Sequence, residues 1–257
     1  MLTNRTKRQR SGEFLVQGVR PITLAVEHGW PLRALAYPSG VRLSDWAQGM
    51  LDEVSAERVE MAPALLDELA GKDDAELVAV AALPPDDLAR IRPEGPVVVF
   101  DRAAEPGNIG TVVRSADAFG ASGVIVTGHA ADPYDPKSVR ASTGSLFALP
   151  VVRAPAPRPV VDWARESGLR IVGTDETGTV DVGDHDLRGP ALLVIGSETR
   201  GMSGAWAAAC DDVVRIPIVG AASSLNAASA ATVFLYEAAR QRGVAAAAAR
   251  EKIRSRR

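Results

Sequence analysis

"SSLNAASAA" (residues 223–231) lies between an apolar run, "VVRIPI" (213–218), and an apolar-periodic segment, "ATVFLYEAARQR" (231–242). Its side chains are small. Several carry hydroxyls, and Asn226 carries an amide. Ser224 can cap the helix that follows, and Ala227, Ala228, Ala230 and Ala231 leave the first turns of that helix nearly smooth. Two readings are open: close packing against another helix, or a narrow slot through which something passes. A smooth helix start beside ligand loops satisfies both, so the flanking segments have to decide.

Strands are predicted at "VVVFD" (97–101), "GVIVTG" (123–128), "LRIVGTD" (169–175), "ALLVIG" (191–196) and "VVRIPI" (213–218), with a weaker one at "LPVVR" (149–153). Helices are expected at 108–119, 159–167, 203–209 and 224–242. Near-continuous apolar strands between helices imply a parallel sheet covered on both faces. Further upstream, "EFLVQG" (13–18), "RALAY" (33–37), "ERVEMA" (57–62) and "ELVAVAAL" (76–83) alternate with helical segments at 21–29, 44–54 and 63–71. Pro21 and Pro63 suit first turns, Ser44 suits a cap, and Gly29 and Gly71 suit stops. This is a smaller α/β unit. "PPDDLARIRPEGP" (84–96), with four prolines, reads as a linker. The expected division is therefore 1–83, a linker at 84–96, 97–244, and a basic tail at 245–257.

A chain of 257 residues suits one large domain or two modest ones. No run of about 18 apolar residues is present, so nothing should span a membrane, and the first residues lack the apolar stretch of a signal peptide. The single cysteine, Cys210, excludes a disulfide framework and points to a reducing cytoplasm. His28, His129 and His185 lie far apart, so no metal site is expected. The net charge of −3 conceals an uneven distribution. Residues 1–20 hold five basic groups against Glu13, and 240–257 hold seven against Glu251. Such ends are either solvated or meet a polyanion.

Ligands of open α/β sheets bind beyond the carboxyl ends of strands. After the strand at 97–101, Asn108 is placed as the cap of a helix that Gly120 stops. Ile109, Val112, Val113, Ala116 and Phe119 make its buried face. Arg114 falls off that face. It is either solvated and paired with Asp117, or directed at a ligand or a second subunit. "GNIG" is not the G-x-G-x-x-G of a dinucleotide loop. After the strand at 191–196 comes "GSETRGMSG" (196–204), where Glu198 stands among short residues. Gly196 and Gly201 permit close backbone approach. The loop is either an ordinary turn with an exposed glutamate or a ligand loop.

Together, "NIGTVVRSADAFG" (108–120), "IGSETRGMS" (195–203) and "IPIVGAASSLNAASAATVFLYE" (216–237) resemble the three motifs of the SpoU/TrmH family in order, spacing and position after strands. That family comprises S-adenosylmethionine-dependent RNA ribose 2′-O-methyltransferases. "NRTKRQRSGEFLVQGVRPITLAVEHG" (4–29) resembles the opening of the family's L30e-like substrate-binding extension. "GEFLVQGVRPITLAVEHGWP" (12–31) and "YDPKSVRASTGSLF" (134–147) resemble a branch that modifies 23S ribosomal RNA and confers antibiotic resistance.

The resemblance implies a C-terminal α/β trefoil-knot (SPOUT) domain behind an N-terminal L30e-like domain, acting as a homodimer with the site at the subunit interface. The small residues at 223–231 would then let the chain thread the knot around the cofactor. S-adenosylmethionine would be held by backbone at Gly196, Ile216 and Leu225, with Thr127 and Gly201 nearby. Asn108, Glu198, Ser224 and Asn226 match the family's polar positions, and Arg114 matches its essential arginine. A base role for Arg114 is physically difficult, because a guanidinium keeps its proton up to a pKa above about 12. A charged Arg114 could instead bind a phosphate or stabilise the developing alkoxide. No metal is required. Arg5, Lys7, Arg8 and Arg10 would supply RNA phosphate contacts, and "SVRASTGS" (138–145) adds Arg140, Ser142 and Ser145; Arg140 also reads as a plain surface charge. The rival readings are the same chemistry on transfer RNA and a knotted RNA-binding protein without methyl transfer. A dinucleotide oxidoreductase is more distant, because its phosphate loop is absent.

Overall fold

Two sheets, with the helices packed on them, organise residues 2–243, which the computed structural model describes; the basic tail at 245–257 lies outside the described residues. The first sheet is built from α1 (Arg5–Ser11), β1 (Glu13–Gln17), α2 (Val19–Glu27), β2 (Leu32–Pro38), α3 (Asp45–Glu53), β3 (Glu57–Met61), α4 (Pro63–Ala70) and β4 (Val78–Ala82). Its order is β1-β4-β2-β3, with β4 antiparallel to both neighbours and β3 parallel to β2. The expected strands and three helices are present. Ser44 caps α3 by accepting from Ala47 N–H, and Gly71 closes α4 in the left-handed region. Helix α1 is additional: Asn4 caps it and Gly12 ends it at φ 70°.

The second sheet follows as β5 (Val97–Asp101), α5 (Pro106–Ala118), β6 (Gly123–Thr127), α6 (Pro136–Ser142), β7 (Val151–Ala154), α7 (Pro157–Glu166), β8 (Arg170–Thr174), β9 (Val180–Asp181), β10 (Ala191–Ile195), α8 (Gly204–Ala209), β11 (Asp212–Arg215) and α9 (Ala227–Gln241). The strand order is β7-β6-β5-β10-β8-β11-β9, and every pairing is parallel. Strands β5, β6 and β10 are buried throughout, which is why their sequences read as unbroken apolar runs.

Three boundaries differ from the sequence reading. Strand β11 ends at Arg215, so Ile216–Ile218 leave the sheet. Helix α5 starts at Pro106 with Glu105 at the cap position, so Asn108 sits in the first turn. Helix α9 starts at Ala227, and its cap is Asn226 rather than Ser224. Helix α6, unforeseen, is opened by an Asp135 cap and Pro136.

The two sheets share one apolar core. Phe14 packs on Tyr134 with ring centroids 4.9 Å apart, and Trp30 meets Phe147 edge-on at 5.0 Å. Trp30 Nε1 also donates to the Phe147 carbonyl at 3.1 Å. Burying a Phe-sized side chain is worth about 1.5–3 kcal/mol, so this cluster opposes separation of the sheets. Residues 84–96 are not a loose tether. They form a 3-10 turn at Leu88–Arg90, bury Ile91, and send Arg90 Nη1 to the Val151 carbonyl at 3.1 Å. Among the described residues no helix is long and apolar enough to cross a membrane.

Candidate active site

The carboxyl ends of β8, β10 and β11 open onto a cleft of about 580 Å³, within the range of small-molecule sites. Part of its wall is apolar, from Ile195, Ile216, Ile218, Leu225 and Phe234, and Gly196 lies among them. Its charged groups are Asp175, Glu176, Glu198 and Arg200, an acidic balance suited to a cationic ligand.

The β10 loop folds back on itself. Ser197 N–H donates to the Gly201 carbonyl at 3.1 Å and Gly201 N–H to the Ser197 carbonyl at 2.9 Å, leaving Glu198, Thr199 and Arg200 exposed at the tip. A Cβ on Gly196 would lie 2.2 Å from the Gly201 carbonyl carbon. Glycine is required there by the loop's own closure, before any ligand is considered.

A polar relay ties three distant segments together. Asn226 Oδ1 accepts from the N–H groups of Ala228 and Ser229 at 3.0 and 3.3 Å. Capping therefore fixes which way this amide faces. Its Nδ2 turns to Asn108 Oδ1 at 3.4 Å, and Asn108 Nδ2 donates to Glu198 Oε1 at 2.5 Å. Asn108 can reach Glu198 because Glu105, not Asn108, occupies the α5 cap position. Glu198 is thus aimed from one side. Its other oxygen remains available to accept from a hydroxyl or to face a cation.

Glu198, Ser224, Gly196, Gly201, Ile216 and Leu225 line the cleft, and Asn108 and Asn226 join it through the relay. Thr127 does not reach it. It ends β6, beyond β5 from the cleft, and is fully buried between Asp101 and Trp206. Arg114 lies exposed on α5 outside the cleft of its own chain. The anticipated pairing with Asp117 is not made, because the Asp117 carboxylate accepts from Ser145 Oγ at 2.6 Å.

The basic arm divides. Arg5, Lys7 and Arg10 are exposed on α1. Arg8 is 1% exposed, and its Nε and Nη2 donate to Asp132 Oδ2 at 3.0 and 2.8 Å. Nη1 donates to the Leu2 and Thr3 carbonyls, and Nη2 also reaches Asp135 Oδ2 at 3.4 Å. Arg8 is therefore a structural ion pair and not a phosphate contact, correcting the sequence reading. Arg140 is exposed but donates to Gln17 Oε1 of the first sheet. Ser142 and Ser145 are buried, with Ser142 Oγ bound to the Val139 carbonyl and Ser145 Oγ to Asp117, so neither meets a phosphate. Asp175 and Glu176 escaped the sequence reading, although they directly follow β8, where the same carboxyl-end rule applies. Among the described residues no group of three or more His, Cys, Asp or Glu is placed to hold a metal ion.

Residues 95–236 match the SpoU rRNA Methylase family, and residues 1–79 match the SpoU L30e-like domain. The chain belongs to the SpoU rRNA methylase family. It is 59% identical over 251 residues to the 23S rRNA (uridine(2479)-2′-O)-methyltransferase of Streptomyces viridochromogenes, covering 94% of this chain and 88% of that protein. It is 34% identical over 240 residues to an uncharacterized tRNA/rRNA methyltransferase of Mycobacterium avium, covering 88% of this chain and 77% of that protein. The crystal structure of the SpoU methyltransferase AviRb from S. viridochromogenes with its cofactor AdoMet superposes with a TM-score of 0.89 at 58% identity, covering 93% of this chain and 94% of that one. An AdoMet-bound rRNA methyltransferase from Sinorhizobium meliloti gives 0.83 at 30% identity, over 93% and 91% of the two chains.

Proposed function

We propose that this protein transfers a methyl group from S-adenosylmethionine to a ribose 2′-hydroxyl in 23S ribosomal RNA. The uridine modified by its Streptomyces relative is the first position to examine. The observation that carries the reading is the relay from the α9 N-terminus through Asn226 and Asn108 to Glu198, at the mouth of a cleft of cofactor size.

The cleft's chemistry fits S-adenosylmethionine. The apolar walls of Ile195, Ile216, Leu225 and Phe234 suit an adenine, and the surplus of carboxylates suits a sulfonium. Gly196, Gly201, Ile216 and Leu225 would hold it, largely through backbone. When bound, it supplies a methyl group on a positively charged sulfur, a leaving group that needs no metal. The chain's own residues then position and deprotonate. Glu198 and Ser224 face the place where a hydroxyl would lie, and Asn108 holds the Glu198 carboxylate in aim. We take Arg114 to remain charged. Its exposure on α5 supports a homodimer in which it reaches the cleft of a second copy, contacting the phosphate beside the target ribose or the developing alkoxide.

Membership of the SpoU family supports the threaded, trefoil-knot reading of residues 97–244. Residues 1–83 are taken as the RNA-binding unit, with Arg5, Lys7 and Arg10 as its phosphate contacts and Arg140 at its seam with the second sheet. The cytoplasm is where such a substrate would be met.

Calorimetric titration with S-adenosylmethionine tests the site. One saturable site per chain, retained in Arg114→Ala while methyl transfer is lost, is expected. Loss of cofactor binding in Arg114→Ala would remove the role assigned to it, and no binding by the parent protein would remove the reading.

A further inference from the structure

The loop that carries Glu198 is held at its tip by Asn108. It is also held at its base, by two residues at the end of β5 that neither line the cleft nor belong to the relay. Arg102 adopts φ 53°, the left-handed region that side-chain-bearing residues seldom enter. Its guanidinium reaches across to the β10 loop, where Nη2 donates to the Gly201 carbonyl at 3.0 Å. Nε donates to Asp101 Oδ2 at 3.2 Å. Asp101 is 1% exposed, and the same Oδ2 accepts from Ser203 N–H at 2.8 Å. Its other oxygen accepts from Thr127 Oγ1 at 3.0 Å, and Thr127 Oγ1 accepts in turn from Trp206 Nε1 at 3.1 Å. Gly128 makes room for this arrangement, since a Cβ there would lie 2.8 Å from Arg102 Cγ.

Gly201 and Ser203 are therefore both fastened to the Asp101–Arg102 pair, one through a carbonyl and the other through an N–H. Without Arg102, the Gly201 carbonyl keeps only Ser197 N–H, and the loop loses one of its two ties to the end of β5. Arg102 holds this seldom-used backbone conformation while its side chain reaches the loop, and a local strain of this kind is commonly found at functional sites.

We infer that Arg102, held by Asp101, is a positioning residue that sets the height of the Glu198 loop and hence the aim of the Glu198 carboxylate. Its kinetic consequence rests on the methyl-transfer reading above; its effect on the loop does not. A misplacement of about 1 Å at a reacting centre can cost about a hundredfold in rate.

The test uses the full chain as parent, Arg102→Ala, Arg102→Lys, Glu198→Gln and the Arg102→Ala/Glu198→Gln double variant. Amide exchange across 197–203 and across β10, calorimetric S-adenosylmethionine affinity, and kcat and KM on 23S ribosomal RNA are measured for each. In Arg102→Ala, exchange across 197–203 should rise at least about tenfold while β10 keeps its protection. The kcat should fall about ten- to a hundredfold, a larger factor than any loss of cofactor affinity through Gly201, and Arg102→Lys should recover part of the rate. The double variant should be no slower than Glu198→Gln alone, because both changes act on one carboxylate. Unchanged exchange across 197–203, loss of β10 protection together with the loop, or rate losses that multiply fully in the double variant would overturn the inference. If the parent transfers no methyl group, the functional reading fails, and the exchange comparison alone decides the positioning claim.

Discussion

Asn226 does two jobs with one amide: its oxygen caps α9 and its nitrogen orients Asn108. Asn226→Ala should therefore cost about 1 kcal/mol of stability as a lost cap and reduce methyl transfer further by freeing the Glu198 relay. Asn226→Asp, which keeps an oxygen for the cap but offers no amide N–H to Asn108, should retain the stability and still lose rate. Chemical denaturation and single-turnover kinetics on the two variants separate these effects. Equal rates in Asn226→Asp and the parent would exclude the relay. Arg8 and Arg10 make a second contrast. Arg8→Ala leaves buried Asp132 with only the more distant Arg153, at 3.9 Å, and should cost about 3 kcal/mol, whereas Arg10→Ala should move stability by no more than about 0.5 kcal/mol and weaken RNA binding instead. In the sequence these two arginines look alike. The partner that distinguishes them is 124 residues away, so no local pattern could have told them apart. Asn226 and Asn108 were recognisable as polar positions, but not which of them was a cap, because neighbouring Ser224 is as good a capping residue on chemistry alone.

At the scale of elements, α5 brings Asn108 to the relay and carries Arg114 on its exposed face, and its placement depends on Gly110. A Cβ there would lie 2.2 Å from the Ser138 carbonyl of α6. Gly110→Ala must push the two helices apart, with an expected cost of about 1–3 kcal/mol and a parallel loss of activity, read by thermal denaturation and turnover. At the corner between α8 and β11, burial and then Asp211 and Asp212 push the Cys210 thiol up to about 11 from its ordinary 9.0. Above pH 9.0 the unfolded thiol ionises while the folded one stays protonated, so the unfolded state holds fewer protons. Stability should fall as pH rises from 9.0 to about 11 and level off beyond it. Denaturant titrations should show a shallower fall over that window in Cys210→Ala, and an equal fall in both would contradict the burial argument. The strands of the second sheet were legible because burial on both faces writes itself as continuous apolar sequence. Helices α1 and α6 were not. "RTKRQRS" and "PKSVRAS" lack the apolar stripe that marks a helix, although their caps at Asn4 and Asp135 and the stop at Gly12 were in plain view.

At the scale of the whole molecule, one core runs from the first sheet into the second, and the proline-rich segment between them is packed into place. RNA held by the first unit would therefore be presented to the cleft at a fixed angle. The basic residues left exposed on α1 predict an affinity for RNA that drops steeply as salt is raised; filter binding across a salt series that gave a flat line would remove α1 from the interface. The division into two units was legible at the proline-rich break of 84–96, and the chemistry of the second through the family resemblance of three motifs that fall after strands, where a parallel sheet places its ligands. The shared core was not legible, since Phe14 and Trp30 read in the sequence only as apolar residues of their own unit. The central claim is methyl transfer to ribosomal RNA. It is tested most directly by incubating the purified protein with labelled S-adenosylmethionine and, separately, unmodified 23S ribosomal RNA and bulk transfer RNA, then digesting and mapping the product. Label in 23S ribosomal RNA, recovered as a 2′-O-methyl nucleotide at one position, is the predicted result. Label confined to transfer RNA, or none in ribosomal RNA from a protein that binds the cofactor, would contradict it.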